Sequence, residues 1–364
     1  ENIHAERDQP PFDRVTMDGI AVSSASLSAG QRSFRLQGTQ GAGQAGQELH
    51  SPANCIEIMT GAVLPTGSDT VIPVERVQAE GARLTLEDGY TAVAGQFVHR
   101  RGTDQRQDEV LLEPGCRING PEMAILTAAG KATVKIAQWP SLAVISTGDE
   151  LVDVGKPITD FQIRSSNDRA IAAALQARGG SRIERARLPD EPDALRTAIE
   201  GLHARHDVLI LSGGVSMGKY DYIPGILEAL GVEVVFHKIL QRPGLPMWFG
   251  TSQDAKPVFA LPGNPVSTLV CLSRYVLPAI ELGLGLKETR MQVRLNQAVD
   301  FSPDLCWFLP VKLGTGPDGL PEALPKPTNT SGDFVGLRGT DGFIELTRGS
   351  DHFAAGTVAP FFPW

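Results

Sequence analysis

Between about residues 142 and 282, continuous apolar runs of strand length alternate with runs of helical period. SLAVIS (141–146), DVLILS (207–212) and PVFAL (257–261) are unbroken apolar stretches closed by turn residues, the pattern of strands covered on both faces. RIERARL (182–188) and VEVVFHKIL (232–240) read as further strands. NDRAIAAALQARGG (167–180), EPDALRTAIEGLHAR (191–205), YIPGILEALG (222–231) and NPVSTLVCLSRYVLPAIELG (264–283) place apolar residues at helical spacing. Asn167 is expected to cap the first of these helices, and Gly179 with Gly180 to stop it. Strands alternating with helices imply right-handed crossovers, a mostly parallel sheet and helices on both faces. The predicted fold class is therefore α/β, with a three-layer domain over residues 141–284.

The flanks are patterned differently. Residues 21–114 carry short alternating runs such as HSPANCIEIM and ARLTLEDG, which predict a β-rich inserted domain. Residues 285–364, with MQVRLNQAV, CWFLPVKL, GFIELTRG and TVAPFFPW, predict a second β-rich domain. GPEMAILTAAG (120–130) reads as a short helix leading into the α/β segment. At 364 residues, 41% hydrophobic and 21% charged, the chain is long enough for several ordinary cores. A net charge of -9 argues against a general nucleic-acid or anionic-membrane surface, so an anionic ligand needs a local cationic pocket. The four cysteines are widely spaced, without a CxxC pair, and predict reduced thiols rather than a disulfide framework or zinc site. No apolar run reaches bilayer-spanning length and no signal-peptide pattern opens the chain, which points to a cytoplasmic protein. The first residues, ENIHAERDQPPFD, lack a methionine, and a preceding segment is expected.

Three predicted strands end in bare turns: STGDE (146–150), SGGVS (212–216) and LPGNP (261–265). All three fall at the carboxyl edge of the predicted sheet, where open α/β folds bind ligands. Glycine lets backbone N–H groups approach an anion closely, and a following helix N-terminus adds a favourable dipole. A single such turn is more often only a turn, but three on one edge make a site. Neither a P-loop (GxxxxGK[ST]) nor a GxGxxG fingerprint is expected in the chain, which weakens ordinary ATPase and dinucleotide readings. Carboxylates beside bound phosphates call for a bridging divalent cation, so Asp149, Glu150, Asp190 and Asp221 are candidate Mg²⁺ ligands.

PPFDRVTMDGIAV, IMTGAVLPTGSDTVIPVE, STGDELV, LSGGVSMGKYDY, RPGLP and LPGNPVS together resemble, in order and across nearly the whole chain, the molybdopterin molybdenumtransferase family, the molybdenum insertases similar to the E domain of gephyrin. The resemblance implies an elongated homodimer with a β-rich domain inserted at 21–114, a small linking domain of residues 1–20 and 115–140, a C-terminal β-barrel at 285–364, and a site between the α/β domain of one subunit and the N-terminal part of the other. It implies adenylylated molybdopterin and molybdate as substrates and Mg²⁺-assisted release of AMP. Asp18 of TMDG, Thr60 of MTGA and Glu75 match family positions, with Asp69 and Thr70 between the last two. Asp104 matches the acid that follows Arg101 and Gly102, Glu150 the GDEL acid, and Asp190 and Asp221 the two later aspartates. Ser212, Gly213, Gly214 and Ser216 match the SGGVS turn, and Pro262, Gly263, Asn264, Pro265 and Ser267 match LPGNPxS. Ser331 with Gly332 resembles the family's C-terminal Ser-Gly.

There are departures from the family pattern. Its KPGKP is RPGLP here: Arg242 keeps a cation, while Leu245 replaces a lysine, a loss of several kcal/mol of attraction to a dianion at an effective dielectric of about 20. Lys219, Lys238, Arg100 and Arg164 are the candidate replacements. Val15, Glu57 and Ser165 stand where the family has serine, a basic residue and aspartate. Two other readings therefore stay open: a non-catalytic molybdopterin-binding or scaffold protein, and an adenylyltransferase acting on molybdopterin itself. Elsewhere, His203 and His206 have HxxH spacing but no third ligand, and are expected at a solvated helix end. Trp248 and Trp307 are expected in the core, and the acidic run 188–193 is expected to favour a helix N-terminus.

Overall fold

The computed structural model describes residues 1–215, 222–287 and 289–364, so the candidate residues Ser216, Lys219 and Asp221 lie outside the described part. The chain divides into two compact units, Glu1–Ile136 and Ala137–Trp364.

In the first unit, a six-stranded sheet runs in the order Thr70–Pro73, Gly19–Val22, Asn54–Ile58, Ser33–Gln40, Arg83–Leu86, Val77–Glu80. Strand alternation splits its apolar residues between two faces: Ile20, Val22, Phe34, Cys55 and Ile72 pack on one, Ala21, Ile58 and Val71 on the other. Gly19 of TMDG is demanded by packing, since a Cβ there would lie 1.9 Å from the Ile72 carbonyl oxygen. Val15, at a family serine position, is 1% exposed in the second of these cores. Ile3–His4 pairs with Val110–Leu112, and the expected helix spans Gly120–Ala128, with the Glu122 carboxylate accepting from the Asn119 N–H at 2.9 Å. A GAGQAG stretch at 41–46 does spell GxGxxG, but it follows Ser33–Gln40 without opening a helix, so it lacks the dipole a dinucleotide fold uses.

The second unit begins with the α/β domain. Its strands are β1 (Leu142–Thr147), β2 (Ile183–Leu188), β3 (Val208–Ser212), β4 (Glu233–His237), β5 (Trp248–Thr251) and β6 (Pro257–Leu261), ordered β2-β1-β3-β6-β5-β4. β2, β1, β3 and β6 are mutually parallel, and only β5 runs against its neighbours. Every residue of β1 and β3 is buried, as expected for strands covered on both faces. Helices α1 (Asn167–Ala177) and α4 (Pro265–Gly283) cover one face with Ile171, Leu175, Leu272 and Val276; α2 (Pro192–Arg205) and α3 (Ile223–Ala229) cover the other with Leu195, Ile199, Ile223 and Leu227. Proline sits in the first turn of α2, α3 and α4, where its missing N–H costs nothing. The Leu272–Val276 segment of α4 is a π turn just before Pro278, which has no N–H to offer the preceding turn.

The expectation of no spanning-length apolar segment needs correction. α4 has 19 residues at mean hydropathy 1.3, long and apolar enough to cross a bilayer, yet Val266, Val270, Leu272 and Val276 are all fully buried between sheet and barrel. It is a core helix packed on two sides.

The C-terminal strands β7 (Met291–Leu295), β8 (Cys306–Thr315), β9 (Pro321–Pro325), β10 (Gly342–Leu346) and β11 (Val358–Pro363) close into a ring, β8-β9-β7-β11-β10 and back to β8. This five-stranded barrel encloses Val293, Leu309, Val311, Ala323, Ile344 and Phe361. Its outer face sets Phe308, Phe343 and Phe362 against Val266 and Val270 of α4. Arg274 of α4 donates to Glu345 of β10 at 2.8 Å and lies over the Phe362 ring, 5.0 Å from its centroid. A short strand, Gln241–Arg242, leaves the α/β domain and pairs in parallel with Cys306–Trp307 at the start of β8.

Candidate functional site

The carboxyl ends of β1, β3 and β6 carry the three bare turns, and they open onto one cavity of about 1230 Å³ within the second unit. The cavity brings together Glu150, Asp190, Ser212, Gly213, Gly214, Arg242, Pro262, Gly263, Asn264, Pro265, Ser267 and, from the barrel side, Ser331. Among the described second-unit candidates for ligand or metal, Asp149 and Lys238 do not border this space.

The turns have physical reasons for their residues. Gly213 has φ +104, and a Cβ there would lie 2.9 Å from the Thr147 carbonyl oxygen; Gly214 has φ +70, with a Cβ 2.7 Å from Ile223. Only glycine fits both demands at once. Thr268 holds the LPGN turn by donating to the Pro262 carbonyl at 2.7 Å, and the Asn264 amide reaches the barrel by donating to Ser331 Oγ at 2.8 Å. The Ser331 carbonyl in turn accepts from the Val266 N–H at 3.0 Å. Ser146 and Thr147, 1% and 6% exposed, border the cavity, but their buried hydroxyls have no hydrogen-bond partner among the described residues. Buried hydroxyls normally find partners; these two are unsatisfied among the described residues and sealed behind the turns, out of contact with the open cavity.

Asn167 corrects an expectation. It is the first residue of α1 rather than its cap, and Ser166, at the cap position, makes no side-chain capping bond. The Asn167 amide nitrogen instead donates to Ser212 Oγ at 2.9 Å and to the Gly263 carbonyl at 2.8 Å. Behind it, Ser165, at a family aspartate position, donates to buried Asp168 at 2.9 Å, and Arg185 donates to the same carboxylate at 2.7 Å.

Among the acids, Glu150 faces the cavity, and Asp149 accepts the Asp190 N–H at 3.1 Å, so these two turns are joined. The described residues contain no group of three or more His, Cys, Asp or Glu arranged to hold a metal ion by themselves. Among the cations, Arg242 borders the cavity and its guanidinium makes no hydrogen bond or ion pair with the described residues, while Arg164 donates to the Asp153 and Lys156 carbonyls at 2.7 and 2.8 Å. Lys238 is not a cavity residue, and Arg100, in the first unit, is paired with Asp13 at 2.5 Å. Lys238 therefore does not replace the ammonium absent at Leu245, which is 37% exposed at the cavity wall.

The RPGLP segment is braced from behind. Gln241, 1% exposed, accepts from the Tyr275 hydroxyl and donates to the Pro243 carbonyl at 3.2 Å. Gly244, at φ +96, sits so close that a Cβ would meet Cys271 Sγ at 2.6 Å. Burial pushes the Cys271 thiol up to about 12, so it acts as packing and not as a nucleophile.

In the first unit, Asp18 and Thr60 form one exposed cluster: Asp18 Oδ1 accepts from the Thr60 hydroxyl and from its N–H, both at 2.6 Å. These bonds, the hydroxyl's first, hold the Asp18 carboxyl below the usual carboxylate range. Asp69 is occupied by Ser24, which donates to it from N–H at 2.7 Å and from Oγ at 2.5 Å. Asp104 is paired with His99 at 2.9 Å, and Glu57 accepts from Thr39 at 2.7 Å. Asp13 of PPFD receives both the Arg100 guanidinium and, at 2.9 Å, the Arg101 N–H, which gives this motif residue a structural role within the first unit.

Two further expectations change. His206 is 9% exposed and bonded to Glu184 at 2.8 Å, and the buried His203 Nε2 has no partner among the described residues, its pKa lowered by burial; this helix end is packed, not solvated. Trp248 is core at 1% exposure, but Trp307 is only partly buried, borders the cavity and stacks on Phe301 at 4.6 Å and 9°. The acidic run places Glu191 at the cap of α2 without a side-chain capping bond and Asp193 in its first turn, where the dipole favours it.

Comparison with known proteins agrees with the motif order. Residues 1–130 match the MoeA N-terminal region (domain I and II), 143–282 a probable molybdopterin binding domain, and 292–364 the MoeA C-terminal region (domain IV). A molybdopterin molybdenumtransferase of Synechocystis sp. is 39% identical over 365 residues, covering 100% of this chain and 91% of the relative. One of Bacillus subtilis is 30% identical, covering 98% and 84%. The crystal structure of the molybdopterin biosynthesis MoeA protein from Pyrococcus horikosii superposes with a TM-score of 0.81 at 30% identity, covering 100% of this chain and 90% of that one. With the three regions matched in order and full-length relatives at this identity, the chain belongs to the MoeA family of molybdopterin molybdenumtransferases.

Proposed function

We propose that the chain inserts molybdate into adenylylated molybdopterin, releasing AMP with the assistance of Mg²⁺ to form molybdenum cofactor. The observation that carries this reading is the convergence, on one cavity, of bare glycine turns, two carboxylates and an arginine whose guanidinium has no partner among the described residues. At about 1230 Å³ the cavity exceeds the roughly 300–1,000 Å³ of pockets for a single drug-sized ligand, which suits a nucleotide joined to a pterin.

Mg²⁺ is commonly held by one or two carboxylates together with substrate phosphates. Glu150 and Asp190 supply such a donor set, and they would hold the ion, with Asp221 as the family's third candidate. The ion's contribution is charge neutralisation at the pyrophosphate. Of the chain's own residues, the Gly214 amide and the Ser212 hydroxyl orient phosphate oxygens. Arg242 offers its guanidinium to the molybdate dianion. In-line attack at phosphorus needs positioning and charge neutralisation more than a covalent protein nucleophile. The working form is proposed to be a homodimer. The cytoplasm suits four cysteines that are all free thiols.

Incubating the protein with adenylylated molybdopterin, Mg²⁺ and molybdate tests the reading: AMP release that requires molybdate is the expected result. One feature favours a second reading, a molybdopterin-binding protein without insertion: Leu245 leaves Arg242 as the uncommitted cation of the cavity among the described residues. Tight binding of the adenylylated pterin with no AMP release would select it.

A further inference from the structure

We propose that Asn167 is a positioning residue that locks two of the substrate-binding turns together; the consequence for catalysis rests on the insertase reading above. β3 and β6 are paired through Ser212 and Leu261, and the last rung between their chains is Gly213 N–H to the Leu261 carbonyl at 3.2 Å. Past that rung the two turns share no backbone hydrogen bond among the described residues. The Asn167 side chain supplies the missing tie, its nitrogen donating to Ser212 Oγ at 2.9 Å and to the Gly263 carbonyl at 2.8 Å. The orientation is forced, because a backbone carbonyl only accepts and the amide nitrogen must face it.

The geometry goes beyond what holding a helix end requires. Asn167 borders the cavity, as do both groups it ties. Its own backbone is fixed from the far side by Ser165 and Arg185 on the buried Asp168 carboxylate. A rigid anchor thus reaches across to two glycine turns that have almost no side chains with which to hold themselves. Misplacement of reacting groups by about 1 Å costs on the order of a hundredfold in rate, and that is the scale of effect expected here.

Hydrogen exchange of the ligand-free protein reads the tie directly. In Asn167→Leu, which keeps the size and removes both donors, peptides covering 208–215 and 261–265 are expected to exchange faster than in wild type. In the insertase assay the same variant is expected to lose about a hundredfold in kcat with KM for the adenylylated pterin little changed, and Asn167→Gln, which keeps both donors, recovers part of it. Unchanged exchange at both turns overturns the proposal, as does faster exchange with unchanged kcat. Should Asn167→Leu not fold, Ser212→Ala removes one anchor: loosening of 208–215 alone supports the proposal, and equal or absent loosening overturns it. Faster exchange in a protein whose wild type shows no insertion leaves the structural tie standing and removes the insertase reading instead.

Discussion

Leu245 is the residue at which charge and geometry disagree most openly. It stands at the wall of a cavity whose proposed cargo is a dianion, beside Arg242, whose guanidinium is uncommitted among the described residues. Leu245→Lys is expected to raise molybdate-dependent AMP release and lower the molybdate concentration needed for half-maximal rate by tenfold or more, about 1.4 kcal/mol of added attraction; unchanged rates would show that the departure is harmless. Asp18→Ala is expected to cut turnover while moving the melting temperature little, because the Asp18–Thr60 cluster is exposed and surface changes usually stay within about 0.5 kcal/mol. Motif residues were readable in the sequence because glycine and proline advertise turns. Asn167 and Trp307 were not, since an amide at a helix start looks like a cap and a tryptophan among β-type residues looks like core. Only the fold says which neighbour each one meets.

Single elements show the same division. β1, β3 and β6 were legible as unbroken apolar runs, while β5 was not, being four residues containing a glycine and running against the rest of the sheet. In the barrel, Pro321–Pro325 begins and ends in proline and carries only one fully buried residue, so no alternation marked it as a strand. At the end of β3, Gly213→Ala is expected to destabilise the fold by about 1–3 kcal/mol through its positive φ and to weaken binding of the adenylylated pterin, measurable by urea unfolding and by titration calorimetry. On β2, Glu184 accepts from Arg205 and His206, which hold its carboxyl down to about 2 from 4.5. A folded-state pKa depressed in this way stabilises the protein above pH 4.5 and loses that contribution as pH falls from 4.5 toward 2. Glu184→Gln should flatten the urea-midpoint profile in that window, modestly, because the Glu184 side chain is 42% exposed and solvent screens the pairs. A profile identical to wild type would mean that the pairing does not survive in solution.

At the scale of the whole chain, the proposed homodimer predicts a solution mass twice that of one chain, by light scattering at micromolar protein; a single-chain mass would remove the dimer from the proposal. The α/β class and the C-terminal barrel were legible from alternation and motif order. How the barrel is joined to the α/β layer was not, because the join is a two-residue strand with no pattern of its own. That seam has a consequence for dissecting the protein. Gln241 and Arg242 are hydrogen-bonded to the first residues of β8, so the cationic corner of the cavity owes its placement to a strand that begins more than sixty residues later. A fragment trimmed to the α/β layer would keep every glycine turn and still present its guanidinium from an unanchored loop. Grafting the RPGLP stretch onto a free-standing α/β scaffold should therefore fail to transplant anion recognition unless the first turn of barrel strand is carried along with it.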